Sequence, residues 1–379
     1  MPIFLHTADW QIGRQYPAFE PDNAVPMAAA RLEAVHRLAQ VAAAEGAQAV
    51  LVAGDVFDAQ TVSDKTVRQL FQAMAGWAGP WVLLPGNHDA ALAESVWSRA
   101  QRLGVVPPNV HLALKPEVLL LPEAGLALLP APLTQRHTHN DLTIWFDTAD
   151  TPPGLLRVGL AHGSITGILA EDIDSANPIA PDRATRARLD YLALGDWHGA
   201  RQIDARTWYS GTPEPDRFRN NEAGLALRVQ IDGPGAAPVV TPIRVGQLRW
   251  QQWEAGLHQA GDVALLVERL QAMSPADVLD ITLQGELDLA AHQRLDAALA
   301  EAEARLRSLR VDRHGLRLRP TDADLAALHA DGYVGEVVAE LRDDAEAGSD
   351  VAREALVQLT ALLAELAPET PAGGTHAAA

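Results

Sequence analysis

Ala49–Asp58 reads AVLVAGDVFD: five apolar residues, a glycine, an aspartate, and a second aspartate three positions further on. A short apolar run closed by a glycine and a polar residue is the pattern of a buried parallel strand with polar side chains at its carboxyl end. Sites in α/β sheets gather at those ends. The phrase recurs along the chain. Ile3–His6 leads into Asp9-Trp10-Gln11, and Trp81–Leu84 into Gly86-Asn87-His88-Asp89. Arg157–Ala161 runs into His162-Gly163, and Tyr191–Leu194 into Gly195-Asp196-Trp197-His198-Gly199; Leu126–Leu129 is a further apolar run. Between them, Arg31–Glu45 places Leu32, Val35, Leu38 and Val41 at helical spacing with Gly46 as its stop, and Val62–Trp77 is helical in pattern as well. Strands separated by helical stretches predict an α/β fold whose sheet is covered on its faces.

The 379 residues are 48 % hydrophobic, which allows a sizeable core and excludes global disorder. This length predicts about two or three domains. The absence of cysteine excludes disulfides, thiolate zinc sites and cysteine catalysis. The opening MPIFLHTADW lacks the basic-then-apolar pattern of a signal peptide, and no run of about 18 apolar residues predicts a membrane span. The expectation is a soluble, cytoplasmic protein without membrane partners. The net charge of −19 argues against a polyanionic partner. Residues 321–379, however, hold twelve Asp+Glu and two Arg, so −10 of that charge lies away from every motif.

Oxygen and imidazole ligands at five strand ends, four of them beside a glycine that permits a tight turn, predict a shared metal centre. The ordered set resembles the calcineurin-like metallophosphoesterase superfamily, with its D-x-H, GDxxD, GNH[DE], H and GHxH pattern. LHTADWQIG, VAGDVFD, LLPGNHD, YLALGDWHG and the stretch Trp208–Pro215 (WYSGTPEP) are similar to SbcD-type DNA repair exonucleases. The resemblance covers roughly residues 1–240. It implies a four-layer α/β/β/α sandwich with a smaller α/β capping domain and a helical C-terminal region. On it we expect a nuclease domain over 1–240, a capping domain over 245–320, an acidic helical region over 321–367 and a disordered tail over 368–379. The Gly- and Pro-rich stretch around Ile231–Pro242 marks the first boundary.

The resemblance also implies two divalent ions, Mn²⁺ or alternatively Mg²⁺. Asp9, Gln11, Asp55 and His198 would hold one, and Asp55, Asn87, His162 and Asp196 the other, with Asp55 as the bridge. His88 would contact the phosphate and protonate the leaving group, while Asp58 and Asp89 orient ligands or His88. Two positions depart from the family pattern: Gln11 stands where the first motif has His, and Asp196 where the last motif has its first His. Trading two imidazoles for oxygen donors favours harder ions over Zn²⁺. The implied activity is Mn²⁺-dependent cleavage of DNA in double-strand break repair, with an SbcC-type coiled-coil ATPase as partner. A homodimer through Leu92–Leu103 fits the same resemblance. Two alternatives stay open: a small-molecule phosphodiesterase or phosphatase, and a catalytically weak scaffold subunit for an ATPase.

Arg14, Arg183, Arg186, Arg188, Arg217 and Arg219 lie beside motif segments and are the candidates for a cationic DNA-contacting rim. His6 is expected to be a satisfied core histidine, Trp10 and Trp197 to pack around the site, and Arg136, His137 and His139 to form a polar surface loop. Val351, Ala355, Leu359, Leu362 and Leu363 fall at helical spacing. The resemblance implies that such a C-terminal helical segment docks onto the ATPase coiled coil; the alternative is that it packs on the chain's own capping domain.

Overall fold

The computed structural model describes residues 1–167, 177–219, 221–319, 321 and 332–366. The expected tail at 368–379 lies outside the described residues, as do 322–331 and 367 of the acidic region. Two compact units partition the chain, Met1–Trp250 and Gln251–Ala379.

The first unit is built on two six-stranded sheets. One runs, edge to edge, β14 (Val239–Arg244), β13 (Leu225–Gln230), β1 (Ile3–Thr7), β2 (Ala49–Val52), β3 (Trp81–Leu83) and β4 (Val110–Leu112). The other runs β11 (Arg201–Gln202), β12 (Thr207–Tyr209), β10 (Tyr191–Gly195), β7 (Leu156–His162), β6 (Leu126–Ala131) and β5 (Leu119–Leu121). Strands β1 to β4 are parallel, as are β6, β7, β10 and β12. A small parallel pair, β8 (Ser164–Ile165) and β9 (Pro178–Ile179), stands apart. The Asp232–Pro238 stretch turns the chain between antiparallel β13 and β14.

Period-two alternation sorts these strands into layers. Phe4, Ala49, Leu51, Ala53 and Val82 meet Leu126, Leu128, Val158, Leu160 and Tyr191 between the sheets. Leu5, Val50, Val52 and Leu83 point the other way, onto α1 (Pro21–Ala44), α2 (Asp64–Met74) and α3 (Val96–Arg102). The outer face of the second sheet packs Leu129, Ala161, Leu192 and Leu194 against Phe146, Ala184 and Ala187, the last two in and just after α4 (Arg183–Arg186). The order is helix, sheet, sheet, helix. His6 sits in the middle of the sandwich, fully buried; its Nε2 donates to Leu194 O at 3.2 Å and its Nδ1 accepts from Tyr191 Oη at 3.0 Å. Burial holds its pKa down to about 3, against the smaller lift from that carbonyl, so it is neutral.

Helix α1 starts ten residues before the expected Arg31. PDNAVPMAAA reads as a loop because it holds two prolines, but Pro21 enters in the first turn, where the missing N–H would have no partner anyway. Only Pro26 removes an intrahelical bond. Helix α3 uses Val96, Trp97 and Ala100 in the core, leaving Leu92 and Ala93 ahead of it as the exposed apolar residues of the Leu92–Leu103 stretch expected to dimerise.

The second unit is built on a three-stranded sheet, β15 (Arg249–Leu257, entering the unit at Gln251), β16 (Asp277–Leu287) and β17 (Ser308–Leu318). Helices α5 (Ala260–Gln271) and α6 (Leu289–Arg305) lay Val263, Leu266, Leu270, Leu295 and Leu299 on Leu279, Ile281 and Leu283. Helix α7 (Tyr333–Glu346) packs on α8 (Asp350–Leu366). In α8 the buried face is Ala352, Leu356 and Thr360, whereas Val351 and Leu362 of the expected stripe are exposed. The helix is apolar on more than one side, so spacing alone does not choose the covered one. Among the described residues no helix is long and apolar enough to cross a membrane.

Candidate metal centre

The carboxyl ends of β1, β2, β3, β7 and β10 converge, and five loops follow them. The first two loops extend the strand pairing past the sheet: Asp9 N donates to Gly54 O, Gln11 N to Asp55 O, Ile12 N to Val56 O, and Asp58 N to Ile12 O. To turn its side chain inward at that point, the backbone adopts positive φ at Asp9 (54°), Gln11 (44°), Asp55 (51°) and Asp196 (100°), a strain that marks functional sites. Two glycines make room. A Cβ at Gly54 would overlap the His162 ring, and one at Gly86 would overlap the amide and Oδ1 of Asp55.

Asp9, Asp55 and His162 bring donor atoms within 4.8 Å of one another. His162 Nδ1 donates to Ala53 O at 2.8 Å, which turns Nε2 into the pocket. Around Nε2 stand Asn87 Oδ1 at 3.1 Å, Asp55 Oδ1 at 3.5 Å and Asp196 Oδ1 at 3.7 Å. The Asp196 amide donates to both Asp9 carboxylate oxygens at 3.2 Å, and Ser164 Oγ donates to Asp196 Oδ2. Burial pulls the His162 pKa down, but the carboxylates of Asp55, Asp9 and Asp196 outweigh it and lift the group to about 9. Burial, with the charges of Asp55 and Asp196, raises Asp9 to about 6 against the pull of His198 and His162. A pocket whose crowded acids recruit a proton onto an imidazole is one a divalent cation fits. Oxygen donors with one imidazole are the set hard ions prefer.

His88 stands at the mouth, with its Nδ1 donating to the Asp58 carbonyl at 2.7 Å, which presents Nε2 outward, 3.9 Å from Asp55 Oδ2. The amide of His88 donates to Asp55 Oδ1. Asp58 thus meets His88 through its carbonyl, and its carboxylate faces Arg14 at 3.5 Å. Asp89 is buried away from the mouth: its oxygens accept from Phe57 N at 3.0 Å and Gly86 N at 2.7 Å, tying the GDVFD loop to the GNHD loop. Burial and the nearby Asp55 charge raise Asp89 to about 7 despite those two bonds.

The arginines divide. Arg14 and Arg217 reach the centre: Arg14 donates to Gln11 Oε1 at 2.7 Å and Arg217 to His198 Nδ1 at 2.8 Å, both also pairing with Asp216. Arg219 is exposed two residues on. Arg183, Arg186 and Arg188 do not belong to this rim. They precede β10, whereas Asp196 follows its carboxyl end, so a strand's length separates them from the centre. Arg183 is moreover buried in pairs with Asp141 and Asp147, and Arg186 also pairs with Asp147.

Four positioning residues escaped sequence reasoning. Arg31 is buried and donates to Trp10 O (2.7 Å), Asp9 O (2.8 Å), Thr212 Oγ1 (3.0 Å) and Glu214 O (3.2 Å), tying the first loop to the GTPEP turn. Glu214 accepts from Arg37 and from the amides of Gln247 and Leu248. Asp216 gathers His198, Arg14 and Arg217; burial raises its pKa, but His198 and Arg31 hold it well below the carboxylate range. Ser164 orients Asp196. The signal in the chain is the WYSGTPEP stretch itself, which contains Glu214 and ends one residue before Asp216. Trp10 packs on Trp81 and donates to Thr7, and Trp197 lies under Arg201. Arg136, His137 and His139 are exposed.

Carboxylates, an amide oxygen and an imidazole gathered at the ends of two facing sheets, with a second imidazole at the mouth, are a donor set that can hold a metal ion. The chain belongs to the calcineurin-like phosphoesterase family, whose profile matches residues 3–221. It is 40 % identical over 97 residues to the D subunit of the SbcCD nuclease of Rhodobacter capsulatus, covering 23 % of this chain and 21 % of that one. It is 27 % identical over 288 residues to the DNA double-strand break repair protein Mre11 of Aeropyrum pernix, covering 71 % and 67 %. The chain therefore spans about a fifth of the first relative and about two thirds of the second. Among solved structures, TT1561 of Thermus thermophilus shares 12 % identity at a TM-score of 0.43, covering 64 % of this chain and 99 % of that one.

Proposed function

We propose that the protein is a Mn²⁺-dependent DNA phosphodiesterase of the SbcD and Mre11 type, acting in the cytoplasm on DNA ends with a coiled-coil ATPase as partner. The observation that carries the chemistry is the pocket around His162 Nε2, with Asn87, Asp55 and Asp196 oxygens within 3.7 Å and Asp9 beside them. The choice of DNA is supported by the two nuclease relatives. Mn²⁺ is favoured over Zn²⁺ by the oxygen-rich donor set.

Asp55, Asn87, His162 and Asp196 would hold a divalent ion, which when bound would supply Lewis-acid neutralisation of the phosphate and a nucleophile at neutral pH. The chain's own residues do the rest. His88, locked by the Asp58 carbonyl, offers Nε2–H to the departing ester oxygen, a task suited to imidazole near neutral pH. The Asp55 carboxylate fixes the His88 amide and thereby the height of the ring over the pocket. Asp89 holds the two loops that carry Asp55 and His88 in register. Arg14, Arg217 and Arg219 supply positive charge where the phosphodiester backbone approaches.

The test is cleavage of end-labelled linear duplex DNA and of a chromogenic phosphodiester, with Mn²⁺, Mg²⁺ or Zn²⁺. His88→Ala is expected to lower kcat on DNA by at least about 100-fold, the scale of one general acid. A wild-type rate in His88→Ala would remove His88 from the mechanism. Turnover of the chromogenic ester without any cleavage of DNA would favour the small-molecule phosphodiesterase.

A further inference from the structure

The two ends of the centre are not equivalent. At the His162 end, two donors are aimed inward by a neighbour that occupies their other atom: Ala53 O takes His162 Nδ1 and Ser164 takes Asp196 Oδ2. Asn87 Oδ1, Asp55 Oδ1 and Asp196 Oδ1 gather around Nε2, Asp55 Oδ1 also accepting from the His88 amide at 3.0 Å while keeping a further lone pair. At the His198 end the donors are already engaged with each other and with arginines. Gln11 has one atom able to bind a cation, Oε1, and it accepts from Arg14 Nη1 at 2.7 Å. Gln11 Nε2 lies 3.4 Å from His198 Nε2. Arg217 Nη2 lies 2.8 Å from His198 Nδ1, which is also 3.3 Å from Asp216. With Arg217 donating to Nδ1, neutral His198 carries its proton on Nε2, and that arrangement leaves no ring lone pair for a metal.

Arg14 is not a loose surface residue. Its guanidinium touches Gln11, Asp58 at 3.5 Å and Asp216 at 3.4 Å, and lies over the Tyr16 ring. The turn that delivers it is fixed by Gly13 at φ 93° and by the bond from Arg14 N to Gln11 O. Gln11 is central to this arrangement, because an imidazole at that position would offer a metal a lone pair and Arg14 no carbonyl oxygen.

We propose that this centre holds one divalent cation, at the Asp55–Asn87–His162–Asp196 end, and that the Arg14 guanidinium occupies the place of a second ion. The inference rests on the cation-binding reading of the site. It corrects the expectation of two ions: Gln11 and His198 belong to an arginine-filled end, and Arg14 is the cation that faces the phosphate there.

Metal-stripped full-length protein is dialysed against Mn²⁺ and bound metal is counted, with the electron paramagnetic resonance spectrum recorded on the same samples. Wild type is expected to bind one Mn²⁺ per chain and to show the six-line signal of an isolated ion. Replacing the pair, Gln11→His with Arg14→Met, is expected to double the stoichiometry and to produce a spin-coupled spectrum, in protein whose circular dichroism shows it folded. Two coupled ions in wild type would overturn the proposal, as would a folded double variant that still binds one. No bound Mn²⁺ in wild type would instead overturn the cation-binding reading on which it rests.

Discussion

Arg31 gives the sharpest test of how the centre is supported. Its side chain is 1 % exposed and, besides a longer bond to Tyr16 Oη at 3.5 Å, makes four bonds of 2.7 to 3.2 Å, three of them to backbone carbonyls of Trp10, Asp9 and Glu214. Arg31→Met keeps much of the volume and removes all four. Each bond to a charged donor is worth about 1.5–3 kcal/mol, and each carbonyl left buried without a partner costs about 1–3 kcal/mol. Part of that is offset because the variant no longer buries a cation. With three carbonyls orphaned at about 1–3 kcal/mol each, less that relief, the net expectation is about 3–5 kcal/mol. For a unit of this size that lowers the melting temperature by roughly 10 °C. Because Asp9 and Trp10 hang on the same guanidinium, Mn²⁺ affinity should fall in the folded variant at the same time. Arg31→Lys should recover little, since an ammonium cannot span the four acceptors in a fork. The measurements are thermal unfolding followed by tryptophan fluorescence, and Mn²⁺ titration calorimetry. A loss below about 1 kcal/mol with unchanged Mn²⁺ binding would refute the argument that Arg31 clamps the first loop.

Two further outcomes follow from single contacts. Gly86→Ala forces a Cβ onto the Asp55 amide and carboxylate, so Mn²⁺ Kd should rise at least about tenfold, or 1.4 kcal/mol, while the circular dichroism spectrum stays native; unchanged calorimetric affinity would show that the loops yield freely. His6 is held neutral in the fold with a pKa of about 3 against 6.5 unfolded, so the unfolded state binds the extra proton and stability is whole above pH 6.5 but falls as pH drops below it. Between pH 7 and pH 5 wild type should lose about 2 kcal/mol from this group alone, a loss absent in His6→Gln; equal pH slopes in urea titrations of the two proteins would refute it.

The strands and the loops that carry chemistry were readable in the sequence because both signals are local. Five apolar residues followed by Gly-Asp need no partner to announce a buried strand ending in a polar turn, and β2 with Asp55 stands where AVLVAGD put it. Edges were harder. β17, SLRVDRHGLRL, alternates Arg and apolar residues on a largely exposed strand, and its charge masks the strand pattern. The start of α1 was hidden by prolines that a helix tolerates at its beginning. The arginines illustrate the limit best. Arg14, Arg183 and Arg217 look alike in sequence, yet one bonds Gln11, one is buried between Asp141 and Asp147, and one leans on His198.

By itself, then, the sequence determined the layered α/β framework, the five loops and the donor types, since strand periodicity and turn chemistry act over a few residues. Only the tertiary structure decided which donors are free. Arg31 and Glu214, or Gln11 and His198, meet across more than 180 residues of chain, and whether an amide oxygen faces a metal or an arginine is settled by packing among loops that no local pattern links.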